Sequence, residues 1–151
     1  MLELDQFLPY RLSVLSNTIS QAIAREYDAR FGLSITEWRV LAVVGRYPGL
    51  SANEVAERTA MDKVAVSRAV ARLIENQRLQ RETYDGDRRR SILTMSPKGQ
   101  RIYDRVVPRA LEYERHLLDT LDEQERQWLD RILTKLSQEG LAVLKKIEIT
   151  S

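Results

Sequence analysis

Between Met61 and Gly99 the chain sets an arginine-bearing amphipathic segment, a short β-prone run, the tip Asp85-Gly-Asp-Arg-Arg-Arg90 and a second β-prone run. This succession constrains the fold more than any other stretch. A helix followed by a tight basic hairpin is an arrangement suited to two neighbouring grooves of duplex DNA. The rest of the chain must then support that unit or pair it with a copy of itself.

Hydrophobic spacing supplies the remaining elements. Leu8, Leu12, Leu15, Ile19, Ile23 and Tyr27 recur every three or four residues and predict one long helix, which Gly32 ends. Ser34-Ile-Thr-Glu37 is a capping box opening a second helix that buries Trp38, Leu41 and Val44 and stops near Pro48-Gly49. Ser51-Ala-Asn-Glu54 opens a short third helix, and Asp62 caps a fourth running to Glu75 or Asn76. Strands are expected at 79–84 and 90–95. Ser96-Pro97, as N-cap and N1 proline, starts a long helix to about Asp119. Asp122 and Glu125 cap a last helix to about Gln138, with Gly140 as its stop. The fold class expected is mainly α with a small β-hairpin wing: a winged helix-turn-helix lobe, 33–97, flanked by helical dimerisation regions, 1–31 and 98–151.

Composition narrows the function. The 151 residues amount to one domain, and no linker or repeat divides them. There is no cysteine, which excludes a disulfide framework, a thiol switch and a thiolate zinc site. The one histidine, His116, has no second nitrogen ligand to join it and reads as a surface imidazole. A glycine-rich phosphate loop and a nucleophile–base set are both missing, so no enzyme, cofactor or metal is expected. No apolar run approaches the roughly 20 residues of a membrane span, and the first ten residues lack the basic start of a signal peptide. A cytoplasmic protein with no membrane partner is the expectation.

Net charge is only +2, but it is unevenly spread. Residues 61–105 carry 11 basic and 6 acidic side chains, while 1–60 carry 6 and 7 and 106–151 carry 7 and 9. A basic centre between acidic flanks suits a polyanion-binding face. On a helical wheel Val66, Ala69, Val70 and Leu73 share the inner side of the fourth helix. Val64, Ser67, Arg68, Ala71 and Arg72 share the outer side. Small and hydroxyl residues between two arginines let the helix axis come close to base edges: arginine can fork onto guanine, and Val64 can touch a thymine methyl. A plain solvated face with incidental arginines is the competing explanation, and the scarcity of acids among Ala and Ser argues against it. At the hairpin tip Gly86 permits a tight turn. Asp87 can pair with one arginine and leave another free for the narrow, electronegative minor groove.

The stretch from Leu33 to Gly99 resembles the MarR family of bacterial transcription regulators. The resemblance rests on Trp38-Arg-Val-Leu41, Asp62-Lys-Val-Ala-Val-Ser-Arg68, Asp87-Arg-Arg89 and Met95-Ser-Pro-Lys-Gly99, in that order. It implies that Ser67, Arg68 and Arg72 face the major groove, and Arg88, Arg89 and Arg90 the minor groove or its phosphates; Lys63, Val64 and Ala71 complete the expected recognition-helix set, and Asp87 the wing set. Two departures stand out. Gln77 occupies a position where many relatives have glycine, with Asn76 available to take the left-handed turn. Met95-Ser96 replaces the commoner Leu-Thr.

The first helix has a longer apolar stripe than a small winged helix can cover, and Val143, Leu144, Ile147 and Ile149 add more at the other end. A two-fold homodimer on a palindromic double-stranded operator accounts for both; a monomer folding its tail over its own core is the rival. The resemblance also implies a small aromatic or anionic effector. Tyr10, Arg11 and Trp38 could line its pocket, with Arg11 facing a carboxylate, although Trp38 can equally be core. The expected function is a DNA-binding repressor relieved by such a ligand. The alternative is a winged helix used to bind protein.

Overall fold

The computed structural model describes residues 1–83 and 91–150, with side chains as far as 147. The elements follow the order helix, helix, helix, helix, hairpin, long helix, helix. After a short 3-10 turn, Leu4–Gln6, come α1 (Leu8–Phe31), α2 (Ile35–Arg46), α3 (Ala52–Thr59), α4 (Lys63–Glu75), β1 (Leu79–Thr83), β2 (Ser91–Met95), α5 (Pro97–Leu118), α6 (Glu123–Lys135) and α7 (Leu141–Thr150). The protein is mainly α-helical with a two-stranded antiparallel hairpin.

Two units divide the chain, Met1–Arg109 and Ala110–Ser151. In the first unit, α1 stops at Gly32, whose φ of +58° lets its N–H return to the Asp28 carbonyl at 2.9 Å. Only Tyr27 of α1 is buried; every residue from Leu8 to Thr18 is exposed. The core forms where α2, α3 and α4 meet the hairpin: Val40, Leu41, Val44, Val55, Val66, Val70, Leu73, Leu79 and Leu93 are all essentially inaccessible. The hairpin pairs Leu79 with Met95 and Thr83 with Ser91. Leu50 adds one further antiparallel bridge to Leu93, whose N–H reaches the Leu50 carbonyl at 2.8 Å. That bridge ties the α2–α3 turn to the base of the wing.

Most predicted caps are present. Ser51 and Glu54 form the full reciprocal box at 3.2 and 2.7 Å, as do Asp122 and Glu125 at 2.8 and 3.0 Å. Asp62 Oδ2 accepts from the Ala65 N–H at 2.9 Å. Ser96 Oγ accepts from the Gly99 N–H at 2.9 Å and donates to the Gln77 carbonyl, so one hydroxyl caps α5 and pins the turn after α4.

Three expectations need correction. The Ser34 box is half-formed: Ser34 Oγ accepts from the Glu37 N–H at 3.1 Å, but the Glu37 side chain turns inward beside Arg78 and Arg72 instead of back to Ser34. The charge of the largely covered Arg78 guanidinium, 4.0 Å away, draws the carboxylate inward. The left-handed residue after α4 is Gln77, at φ +59°, and Asn76 stays at −82°. The Arg78 N–H bonds the Leu73 carbonyl at 2.7 Å, a closure that puts the positive φ one residue later than Asn76. Gly140 does not end the last helix. Leu136–Gly140 forms a π-helical turn that leads straight into α7, so the helix absorbs one wide turn and continues.

In the second unit none of the described side chains is buried. Arg126 holds its corner together, donating from Nε to the Leu118 carbonyl at 3.0 Å and from Nη2 to Asp119 at 3.1 Å. Leu117, Trp128, Ile132, Leu133, Leu141 and Leu144 are all left exposed.

Candidate nucleic-acid interface

The inner side of α4 is laid against α2 and α3, with Val66, Ala69, Val70 and Leu73 buried. Burial of these four fixes the rotation of the helix about its axis. Lys63, Val64, Ser67, Arg68, Ala71 and Arg72 are consequently all exposed, so the structure brings the six predicted residues onto one outward strip. Val64 is 56% exposed, an isolated apolar side chain on a polar strip. Among the described residues no acid pairs with Arg68, whereas Arg72 Nη1 lies 3.9 Å from Glu37 Oε1.

Beside the strip runs a shallow groove of about 440 Å³, lined by Ser34, Thr36, Ala65, Arg68 and Arg72, with Glu37 at its floor. Ser34 and Thr36 belong to the N-terminus of α2, where free backbone N–H groups and the helix dipole favour negative charge. The sequence pattern did not single out this helix end, because a capping serine looks alike whether or not another element lies across it. It also missed the cation–π cluster at the α2–α3 turn, where the guanidinium groups of Arg46 and Arg58 lie 5.0 and 4.1 Å from the Tyr47 ring centroid. Only an aromatic set next to basic helix ends could have hinted at it.

The predicted wing residues Asp87, Arg88, Arg89 and Arg90 lie outside the described residues. The strands that carry them are described up to Thr83 and from Ser91. On those strands Arg81 donates to Ser91 Oγ at 3.3 Å, and Thr94 donates to Glu82 at 3.1 Å.

The three residues named for an effector pocket are not gathered within one chain. Trp38 packs edge-to-face on Tyr27, centroids 5.9 Å apart, and is tilted against Tyr103 at 5.7 Å. Tyr10 and Arg11 are exposed near the opposite end of α1, about 25 Å from Tyr27 by helical rise. Trp38 is half-buried between these aromatic rings. Among the described residues no cluster of acids and histidines could hold a metal, and no helix is long and apolar enough to cross a membrane.

The family model described as "MarR family" matches residues 31–90, a stretch that holds α2, α3, α4 and β1 and ends before β2. Over this stretch the chain is similar to the MarR family. A relative of similar sequence is the HTH-type transcriptional regulator BilQ of Clostridium symbiosum, 27% identical over 107 residues that cover 71% of this chain and 74% of that protein. Among solved structures, the MarR/EmrR family transcriptional regulator from Acinetobacter sp. ADP1 superposes with a TM-score of 0.85 at 27% identity, covering 92% of this chain and 98% of that one. A MarR-family regulator from Silicibacter pomeroyi gives 0.74 at 26% identity over 88% and 89%. The winged helix-turn-helix lobe and these matches together support a DNA-binding transcriptional regulator. The similarity to these structures spans the flanking helices as well as the lobe.

Proposed function

We propose that this protein is a MarR-family member, a cytoplasmic homodimeric repressor that recognises a palindromic operator and lets go of it when a small aromatic or anionic molecule binds. The observation that carries DNA reading is the strip on α4. Five residues that are small, hydroxylated or cationic are exposed together with the apolar Val64, while four apolar neighbours on the inner side are buried. In this reading α4 enters the major groove. Arg68 and Arg72 take guanine edges, Ser67 a base or phosphate, Val64 a thymine methyl, and Lys63 the backbone. Arg88, Arg89 and Arg90 would serve the adjoining minor groove, with Asp87 orienting one of them.

Support for the dimer comes from uncovered apolar surface. Leu8, Leu12 and Leu15 of α1 are 44–56% exposed, and Ile132, Leu141, Leu144 and Ile147 are 52–57% exposed. Large apolar side chains left this exposed are what a partner copy would cover. Residues 1–31 and 98–151 would therefore pair two copies, and 33–97 would form the DNA-reading lobe. Tyr10 and Arg11, exposed on the same helix, are available to a ligand bound near that interface. No catalytic step is part of this function.

Fluorescence anisotropy on DNA from upstream of the protein's own gene, against scrambled duplex at two salt concentrations, tests the reading. Binding at least about 1,000-fold tighter to one duplex, and weakening with salt, is expected. No binding to any duplex at low salt would overturn it. Charge reversal at Arg68 and Arg89 separates the alternative, because a winged helix that binds protein would keep its complex after losing them.

A further inference from the structure

Glu37 is the one buried acid among the described residues, and none of the roles above uses it. We propose that Glu37 is a positioning residue that steers Arg72 away from phosphates and toward base edges, so that it sets operator specificity without touching DNA. The proposal rests on Arg72 reading DNA, as argued above.

Glu37 leaves its half of the capping box and lies beneath α4, with its side chain 6% exposed. Oε2 is 4.0 Å from Arg78 Nη1, and Oε1 is 3.9 Å from Arg72 Nη1. Arg78 is itself pinned: Nη1 donates to the Gly32 carbonyl at 2.8 Å and Nη2 to the Phe31 carbonyl at 3.0 Å, at the end of α1. Its side chain is only 12% exposed. The carboxylate is therefore held from behind by a fixed cation and presents its other oxygen to a mobile one. Arg72 is 70% exposed and would otherwise sweep a wide arc from α4.

Electrostatics decides what that tether does. Attraction between opposite charges at about 4 Å is several-fold stronger near a protein surface than in bulk water. A phosphate drawn to Arg72 would have to settle close to the Glu37 carboxylate, which repels it. A guanine edge carries no net charge and meets no such repulsion. The forked guanidinium can meet O6 and N7 with one side while another faces the carboxylate. The acid thus weakens Arg72 as a general phosphate clamp and keeps it as a base reader.

The test is a double-mutant cycle of wild type, Glu37→Gln, Arg72→Ala and the pair. Each is titrated onto a duplex selected by the wild-type protein from random-sequence DNA, and onto a scrambled duplex, across salt concentrations. Glu37→Gln should tighten scrambled DNA roughly 5-fold, change the selected duplex far less, and steepen the log–log salt slope by up to about 1. In the Arg72→Ala background the same change should do nothing to the ratio of affinities. Equal change on both duplexes, an unaltered ratio, or an effect that persists without Arg72 would each overturn the proposal.

Should Glu37→Gln fail to fold, the wild-type protein answers by NMR. The Arg72 guanidinium, assigned through Arg72→Lys, should show hindered rotation, and free averaging would overturn the tether. Failure of the parent reading is separable. If no duplex is selected, or Arg72→Ala binds the selected duplex as wild type does, Arg72 is no reader and both ideas fall. If Arg72→Ala weakens binding while Glu37→Gln leaves the ratio alone, only Glu37's role is lost.

Discussion

Gln77 holds its backbone at φ +59°, a conformation that costs an L-residue about 1 kcal/mol and glycine almost nothing. Its carbonyl is clamped by Ser96 Oγ, so the turn cannot relax by moving. Gln77→Gly should therefore stabilise the protein by about 0.5–1 kcal/mol, the relief of strain exceeding the entropy glycine adds to the unfolded chain. A rise in the thermal midpoint of a few degrees would show it, and an unchanged or lower midpoint would refute it. Gly99 gives the opposite case nearby. A Cβ there would run into the Arg78 carbonyl, which itself accepts the Ser96 N–H at 3.1 Å. Backbone is not free to yield, so Gly99→Ala should cost at least about 2 kcal/mol, read from denaturant midpoints. The two sites share one junction, where the end of α4, the start of β1 and the start of α5 are tied by a single serine.

Among whole elements, α4 depends on its first turn. Among the described residues Asp62 is the side chain that serves its N-terminal amides, through the 2.9 Å bond to Ala65. Asp62→Ala should cost about 1 kcal/mol, and Asp62→Asn should recover most of it. Because the proposed reading strip begins at Lys63, DNA affinity should fall in the alanine variant and return in the asparagine one; parallel urea melts and anisotropy titrations would check both. Caps such as this one were legible in the sequence because they are local: a Ser or Asp and a Glu three residues on suffice. The inner and outer sides of α4 were legible for the same reason, since a 3.6-residue period sorts them without knowledge of the partner helices. What escaped was set by residues far apart in the chain. Glu37 turns inward only because Arg78, more than forty residues later, is there to meet it. The Leu50–Leu93 bridge joins two segments equally distant. At Gly140 a local rule misled: a glycine favours a helix stop only when the chain takes positive φ there, and here a π turn carries the helix on.

For the molecule as a whole, what matters is where its apolar surface lies. The lobe formed by α2, α3, α4 and the hairpin buries its own core, yet α1 contributes a single buried residue and the second unit contributes none among its described side chains. Helices of this kind gain little from propensity and need an apolar face covered to be stable. In the proposed homodimer a second copy would cover identical faces by two-fold symmetry, and symmetry would make the two α4 strips equivalent. On B-DNA they would then address half-sites about 34 Å apart, one helical turn. Binding the second half-site becomes intramolecular once the first is held, which raises affinity by roughly 100-fold or more over a single lobe. Leu15→Glu combined with Leu144→Glu should place charge on both exposed faces and yield a monomer by light scattering. That monomer should lose at least about 100-fold in operator affinity and keep the charge-driven affinity for scrambled duplex to within a few-fold. A dimer that survives both substitutions would put the interface elsewhere. A monomer that still binds the operator like the wild type would mean that one lobe suffices.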